Sequence, residues 1–352
     1  MKYLVVQEWG NTKGNHAGMV HMCDLLVAQY PEIYEKVEIP LFAWTAAKKR
    51  GRILGHLLRI YDTQKAYRHY VNTMMEVCSS MLNRLSASDE VFLLEYNWKE
   101  TPQVELAKYI RNHFKGVRIH ALSHLTPTYF RTWLQPLSYL KEWSKYVDTE
   151  LTMGKDLSLF LESQGVEGNM ISTGFHYVDN VYYDKDETKI CPKERMTIIA
   201  MGGLQRDFTL LSDIVNSTPE VDWIICQGRK HLDNYFHGEN VRLVGFVPED
   251  ELKALMDASD ASINVMEDTV GSNVITTSLA MGLVVIASKV GSIGDYVDEH
   301  CGCLCQNTKD SFVEAIRQLA ANPMRVVTMR QASYQRSKLY SIEKLHSWFS
   351  NL

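Results

Sequence analysis

The chain has 352 residues, enough for two domains that each bury a core of their own. Hydrophobic residues make up 45% and charged residues 22%, the ordinary balance of a soluble globular protein. A net charge of −5 excludes any global pull on nucleic acid, and no apolar run reaches the ~18 residues of a membrane span.

The opening stretch, MKYLVVQEWGNTKGNHAG, has an apolar run too short for a signal peptide, so YLVVQ reads as a first strand. MVHMCDLLVAQY has helical spacing, and VEIPLF reads as a second strand. Residues 46–85 are helical in character and begin basic. VFLLEYN (91–97) is a strand, and TPQVELAKYIRNHF opens with Thr-Pro, a good helix start. VRIHALSH (117–124) is the next strand, then come a helix over LSLFLESQG and a strand around NMISTGF. The second half repeats the alternation. MTIIAMGG, VDWIICQG, VRLVGFVP, ASINVM and LVVIAS are strands. FTLLSDIVNS, EDELKALMDAS, the segment after GSNV, and SFVEAIRQLAAN are helices.

Continuous apolar strands alternating with helices indicate parallel sheets covered on both faces. Two such series, joined near the polar stretch 184–195, predict an α/β protein with two Rossmann-like domains. An odd count of seven cysteines without an export segment fits a reducing, cytoplasmic setting. CGCLC admits a soft-metal cluster. The alternation also puts Cys301, Cys303 and Cys305 on one strand face, where cysteine packs as a small core residue, and no Cys or His set at zinc spacing accompanies it.

Ligands of open parallel sheets bind at the carboxyl ends of strands. Four loops there carry candidate chemistry. After the strand ending near Met266, a loop with Glu267, Asp268, Gly271, Ser272 and Asn273 enters a helix, an arrangement suited to a diphosphate or to a plain helix cap. Gly202, Gly203 and Arg206 follow another strand. An arginine there neutralises a diphosphate with planar multi-donor contacts, or caps a turn at the surface. Gly14 and Gly18 flank Asn15 and His16 without forming a dinucleotide fingerprint. His124 ends its strand, as a site residue or a structural one. Residues 44–70 carry Lys48, Lys49, Arg50, Arg52, Arg59, Lys65 and Arg68 against Asp62. They form either a solvated helix face or a surface for an anionic membrane or phosphorylated acceptor.

Residues 145–325 resemble, in series, the donor-binding domain of retaining glycosyltransferases of family 4, which have the two-domain GT-B fold. The stretch ending at Gly174 to Asp179 looks like the family's "x-G-x-D" turn. MTIIAMGGLQRDFTLL looks like its phosphate-binding strand and loop. VRLVGFVPEDELKALMDASDASINV is similar to "G-x-V-x-x-x-x-L-x-x-x-x-x-x-A-D", and GSNVITTSLAMGLVVIAS to "S-N-V-x-x-E-A-x-A-x-G-x-P-V-I-A".

The resemblance implies an acceptor-side domain over 1–184, a donor-side domain over 185–328, and a terminal helix in 329–352 returning to the first domain. It implies transfer of a hexosyl group, with retention, from a UDP- or GDP-linked sugar to a saccharide or lipid-linked acceptor, in polysaccharide or glycoconjugate assembly. Peripheral contact with the inner face of a membrane would run through 44–70, and no nucleic acid, metal or resident cofactor is implied. His124, Arg206 and Glu267 would be catalytic. Gly14, Asn15, His16, Gly18, Gly202, Gly203, Asp268, Gly271, Ser272, Asn273 and Thr277 would bind the donor. The family's two glutamates fall on Thr269 and Thr277, with Glu267 or Asp268 as stand-ins for the first, and Val284 replaces a proline. Those departures keep two other readings open. One is a non-catalytic binding protein. The other is a nucleotide-sugar 2-epimerase using Glu95, Glu267 and Asp268.

Overall fold

The computed structural model describes residues 1–7, 14–40, 54–98, 101–203, 205–228, 232 and 234–352, with side chains excluded at 54–63 and 227. Residues 44–53 of the basic run 44–70 therefore lie outside the described residues, and Arg59 falls where side chains are excluded; its last members, Lys65 and Arg68, are exposed on the helix Leu54–Val77.

Strand periodicity sets the architecture. In β1 (Lys2–Gln7), Tyr3 and Val5 enter one core while Leu4 and Val6 enter another, because successive side chains leave a strand on opposite faces. The same split recurs in β7 (Thr197–Ala200), with Ile198 and Ala200 on one side and Ile199 on the other. A strand buried on both faces must be apolar throughout, which is why these segments read as unbroken hydrophobic runs.

The first sheet also contains β2 (Tyr34–Ile39), β3 (Glu90–Leu93), β4 (Arg118–Ser123), β5 (Thr149–Thr152) and β6 (Ile171–Thr173). Its order is β2-β1-β3-β4-β5-β6, all parallel. The second contains β8 (Asp222–Gly228), β9 (Val241–Gly245), β10 (Ala261–Asn264), β11 (Val284–Ser288) and β12 (Gly302–Cys305). Its order is β12-β11-β10-β7-β8-β9, again all parallel. The direction of winding reverses between β1 and β3 in the first sheet and between β7 and β10 in the second. A crevice opens at each such point, outside the strands' carboxyl ends.

Two expectations shift. β2 begins at Tyr34 and ends before Pro40, which has no N–H to give a ladder. Cys303 and Cys305 share a core face, but Cys301 precedes β12 and packs on the other side of the sheet. Burial pushes the Cys301 thiol up to about 11 and the Cys305 thiol to about 12, which suits core residues rather than thiolate ligands.

The chain crosses between the sheets twice. Residues 174–196 lead from β6 to β7, and 338–341 lead to the last helix, Ile342–Ser350. That helix packs Ile342, Leu345 and Phe349 into the first sheet's core beside Phe92 and Tyr34. Trp348 donates its indole N–H to Ser172 Oγ at 2.9 Å. Gly174 lies flat against the Trp348 ring, where a Cβ would collide. The two crossings also bond to each other, Val178 N–H donating to Tyr340 O at 2.9 Å.

Candidate active site

The reversal point of the second sheet brings together the loops after β7 and β10. They pair directly: Arg206 and Met266 form an antiparallel bridge, Glu267 N–H donates to Gln205 O at 3.1 Å, and Asp207 N–H to Val265 O at 3.1 Å. Between them Gly202, at φ +80°, leaves a gap. A Cβ there would lie 3.2 Å from Val274 Cγ2 and 3.3 Å from Arg206 Nη2. The guanidinium and the first turn of the helix Asn273–Ala280 therefore face one small space, with Gly203 beside it.

Arg206 is the unusual group here. Nη2 donates to Asn264 Oδ1 at 2.9 Å, while Nε and Nη1 are buried without a hydrogen-bond partner among the described residues. No carboxylate pairs with it among those residues, and burial pulls the guanidinium down to about 10. A buried cation with unfilled donors is costly unless an anion arrives. Ser272 caps the adjacent helix by accepting from Val274 N–H at 3.2 Å, and Asn273 Oδ1 accepts from the same N–H at 2.9 Å. Ile275 and Thr276 N–H donate to Ser272 O at 3.0 and 3.1 Å, so the cap and the anion-site readings of this turn are compatible through the helix dipole rather than through spare N–H groups. Gly271, at φ +111°, backs onto Tyr296 and Met153 O.

The remaining donor-side candidates separate. Asp268 is buried and its two oxygens are taken: Oδ2 by Thr128 N–H (3.1 Å) of the first half, Oδ1 by Thr269 N–H (2.8 Å). Thr277 donates its hydroxyl back to Asn273 O at 2.7 Å. Thr269 Oγ1 accepts from Gly271 N–H at 3.3 Å. Glu267 is exposed, the one acid of this loop with its side chain open.

In the first half, His124 follows the carboxyl end of β4. Its Nε2 lies 3.3 Å from Glu95 Oε2, and its ring stands edge-on to Trp98. Burial drives its pKa down to about 4, as it does for His176, so both are neutral near pH 7. Close by, Asn97 adopts φ 59° and donates to Ser123 Oγ (2.8 Å) and Glu150 Oε2 (2.9 Å). Burial raises the Glu150 carboxyl to about 8. This polar knot escaped the sequence reading, apart from His124 and Glu95.

The β1 loop candidates lie elsewhere. Gly14 has φ +72° and open space, and Asn15 Oδ1 takes Ala17 N–H at 2.7 Å. Gly18 opens the helix Met19–Gln29. His16 turns to the crossing segment: Nδ1 is 2.8 Å from Asp179 Oδ2, its ring stacks on Tyr182, and its backbone N–H meets Glu249. His21 Nε2 approaches the same Asp179 oxygen at 2.9 Å. Residues 8–13 lie outside the described residues.

Residues 204–322 match the family model described as glycosyl transferases group 1. That stretch holds Arg206, Asn264, Asp268 and the helix Asn273–Ala280. Over its whole length the chain resembles sucrose-phosphate synthase from Thermosynechococcus elongatus, with TM-score 0.72 and 12% identity, covering 99% of this chain and 97% of that one. It also resembles Anabaena HepE in complex with UDP, with TM-score 0.70 and 12% identity over 100% of both chains. A glycosyltransferase from Rickettsia africae ESF-5 aligns with TM-score 0.66 and 10% identity over 99% of this chain and 97% of that one. No curated protein matches the sequence. The fold is GT-B, and the stretch similar to glycosyl transferases group 1 spans β8 to β12 of the second sheet. No helix among the described residues is long and apolar enough to cross a membrane.

Proposed function

We propose that this chain is a metal-independent retaining hexosyltransferase. It takes the donor as a nucleotide diphosphate sugar on residues 185–328 and a saccharide or lipid-linked acceptor on residues 1–184. UDP is the nucleotide to test first, because a structure of HepE is a complex with UDP. The observation that carries the reading is Arg206, a buried guanidinium with two unfilled donor atoms facing a helix start across Gly202. As the bond from the sugar's C1 to the diphosphate oxygen breaks and the acceptor oxygen bonds to C1, charge builds on the diphosphate. Arg206 and the helix start would stabilise it, and the acceptor's proton leaves with the nucleotide. Asn264 would orient the guanidinium. His124, neutral near pH 7, would offer hydrogen bonds from the opposite sheet, and Glu267 is the acid free to reach the sugar. Glycoconjugate or polysaccharide assembly at the inner membrane face is the setting this reading favours.

Arg206→Ala is expected to cut transfer by about 10²–10³-fold or more and to abolish the rise in melting temperature that UDP gives the parent, with circular dichroism unchanged. Full activity in a folded Arg206→Ala protein would overturn the role.

A second reading, nucleotide-sugar binding without turnover, is favoured by one observation. The threonines in place of the expected glutamates are spent locally, Thr277 on the carbonyl of Asn273 and Thr269 on the N–H of Gly271. Thermal stabilisation by UDP with no hydrolysis or transfer from any donor in a panel would select it.

A further inference from the structure

His16, His21 and Asp179 come from three places: the loop after β1, the helix Met19–Gln29 and the first crossing segment. Their ligand-type atoms lie within 4.8 Å of one another. Both imidazoles aim at a single carboxylate oxygen, Asp179 Oδ2, from 2.8 and 2.9 Å. The other oxygen, Oδ1, is already held by the N–H groups of Val181 (3.1 Å) and Tyr182 (3.0 Å), so the carboxylate cannot turn away.

His16 is held by its ring and by its backbone. Its ring stacks on Tyr182 with centroids 3.6 Å apart and planes 10° from parallel. Its backbone N–H reaches Glu249 at 2.9 Å, and Tyr177 Oη donates to its carbonyl. Such outer contacts orient metal ligands and are half of a metal site's construction. The surroundings are acidic as well. Glu249 sits on the His16 backbone, and Asp250 accepts from Tyr182 Oη at 2.5 Å; Lys253 lies over the Tyr182 ring, 4.7 Å from its centroid.

We propose that His16, His21 and Asp179 bind one divalent first-row transition ion, with Zn²⁺ the best fit. Two imidazoles and one carboxylate suit Zn²⁺ and exclude Mg²⁺ and Ca²⁺, which take oxygen ligands. Ligand atoms about 2.0–2.1 Å from a tetrahedral zinc stand roughly 3.4 Å apart, so the two contacts to Asp179 need to open by about half an ångström while the imidazole nitrogens, within 4.8 Å of each other, settle at that spacing. Both imidazoles are partly exposed, at 31% and 26%, which leaves room for water in the fourth position. The ion would pin the β1 loop to the crossing segment. This inference is independent of the transferase reading and stands or falls without it.

The test is calorimetric titration of the tag-free, chelator-stripped full chain with ZnCl₂, backed by the visible spectrum of the Co²⁺ form. The parent is expected to bind one Zn²⁺ saturably below about 10 µM and to give the intense bands of a four-coordinate cobalt site. His21→Gln and Asp179→Asn keep hydrogen-bonding capacity but lose a ligand. Each is expected to weaken binding by about 100-fold or more, beyond the ~10–100-fold cost of an outer-shell change. Absence of saturable binding to the parent at 100 µM, or parental affinity in either folded variant, overturns the proposal. Using two variants guards against one failing to fold.

Discussion

Glu150 is a carboxylic acid that burial keeps protonated well past its ordinary range, with Oε1 unpartnered and Oε2 accepting from Asn97. Its pKa rises from 4.5 to about 8 on folding. Below pH 4.5 it is protonated in both states and has no effect. Between 4.5 and 8 the unfolded chain ionises first, so stability falls as pH rises through that window. Glu150→Gln removes the titration and keeps an oxygen to accept from Asn97. The variant's melting temperature should match the parent's near pH 4.5 and exceed it increasingly up to pH 8. A constant difference across that range would refute the account. His120, His124 and His176 tilt the acid side the other way. Each is depressed from 6.5 to about 4, so their contribution is whole above pH 6.5 and drains away as pH falls through 4.

At the scale of elements, the turn into the helix Asn273–Ala280 is held by contact with the other half of the molecule. Tyr296 Oη accepts from His176 N–H at 2.8 Å and donates to Met153 O, and Gly271 packs against that pair. Gly271→Ala would place a Cβ on the Tyr296 hydroxyl at a backbone φ of +111°. Strain alone should cost on the order of 1–3 kcal/mol, read as a lower denaturation midpoint with the slope unchanged. The sequence singled out Gly271 for a diphosphate, but its close contacts with Met153 and Tyr296 were not legible, because those residues reach it only through the fold. The apolar strands β10 and β11 were equally legible. The helix Pro323–Ser337 was not, even though Asn322 caps it and proline opens it. Its buried face includes Arg330, Ser333 and Ser337, so no apolar period shows. Arg330 is satisfied by Gly282 O and Asp260, partners 48 and 70 residues away. Arg206 was visible from its place after a glycine pair. Asn264, which orients it, hid inside an apolar strand, and Asp179 meets His21 across 158 residues of chain.

At the scale of the whole molecule, the terminal helix is part of the first core. Ile342, Leu345 and Phe349 are almost wholly buried there, each side chain worth about 1.5–3 kcal/mol by burial. A chain ending at Ser341 should therefore melt markedly lower and expose a dye-binding apolar face over Phe92 and Tyr34, with the second sheet's core, which includes Tyr340, left intact. Unchanged melting of that truncated chain would show the helix to be an appendage. The two crossings matter in another way. Lying side by side and bonded at Val178 and Tyr340, they behave as a paired strap: twisting one half against the other shears the pair, whereas bending across it does not. Opening the halves must therefore break a row of polar contacts, Thr128 N–H to Asp268, Gln205 to Thr126, Asp156 N–H to Ser292 and Tyr296 to Met153 O, and draw Val270 out of the cluster around Phe130 and Leu157.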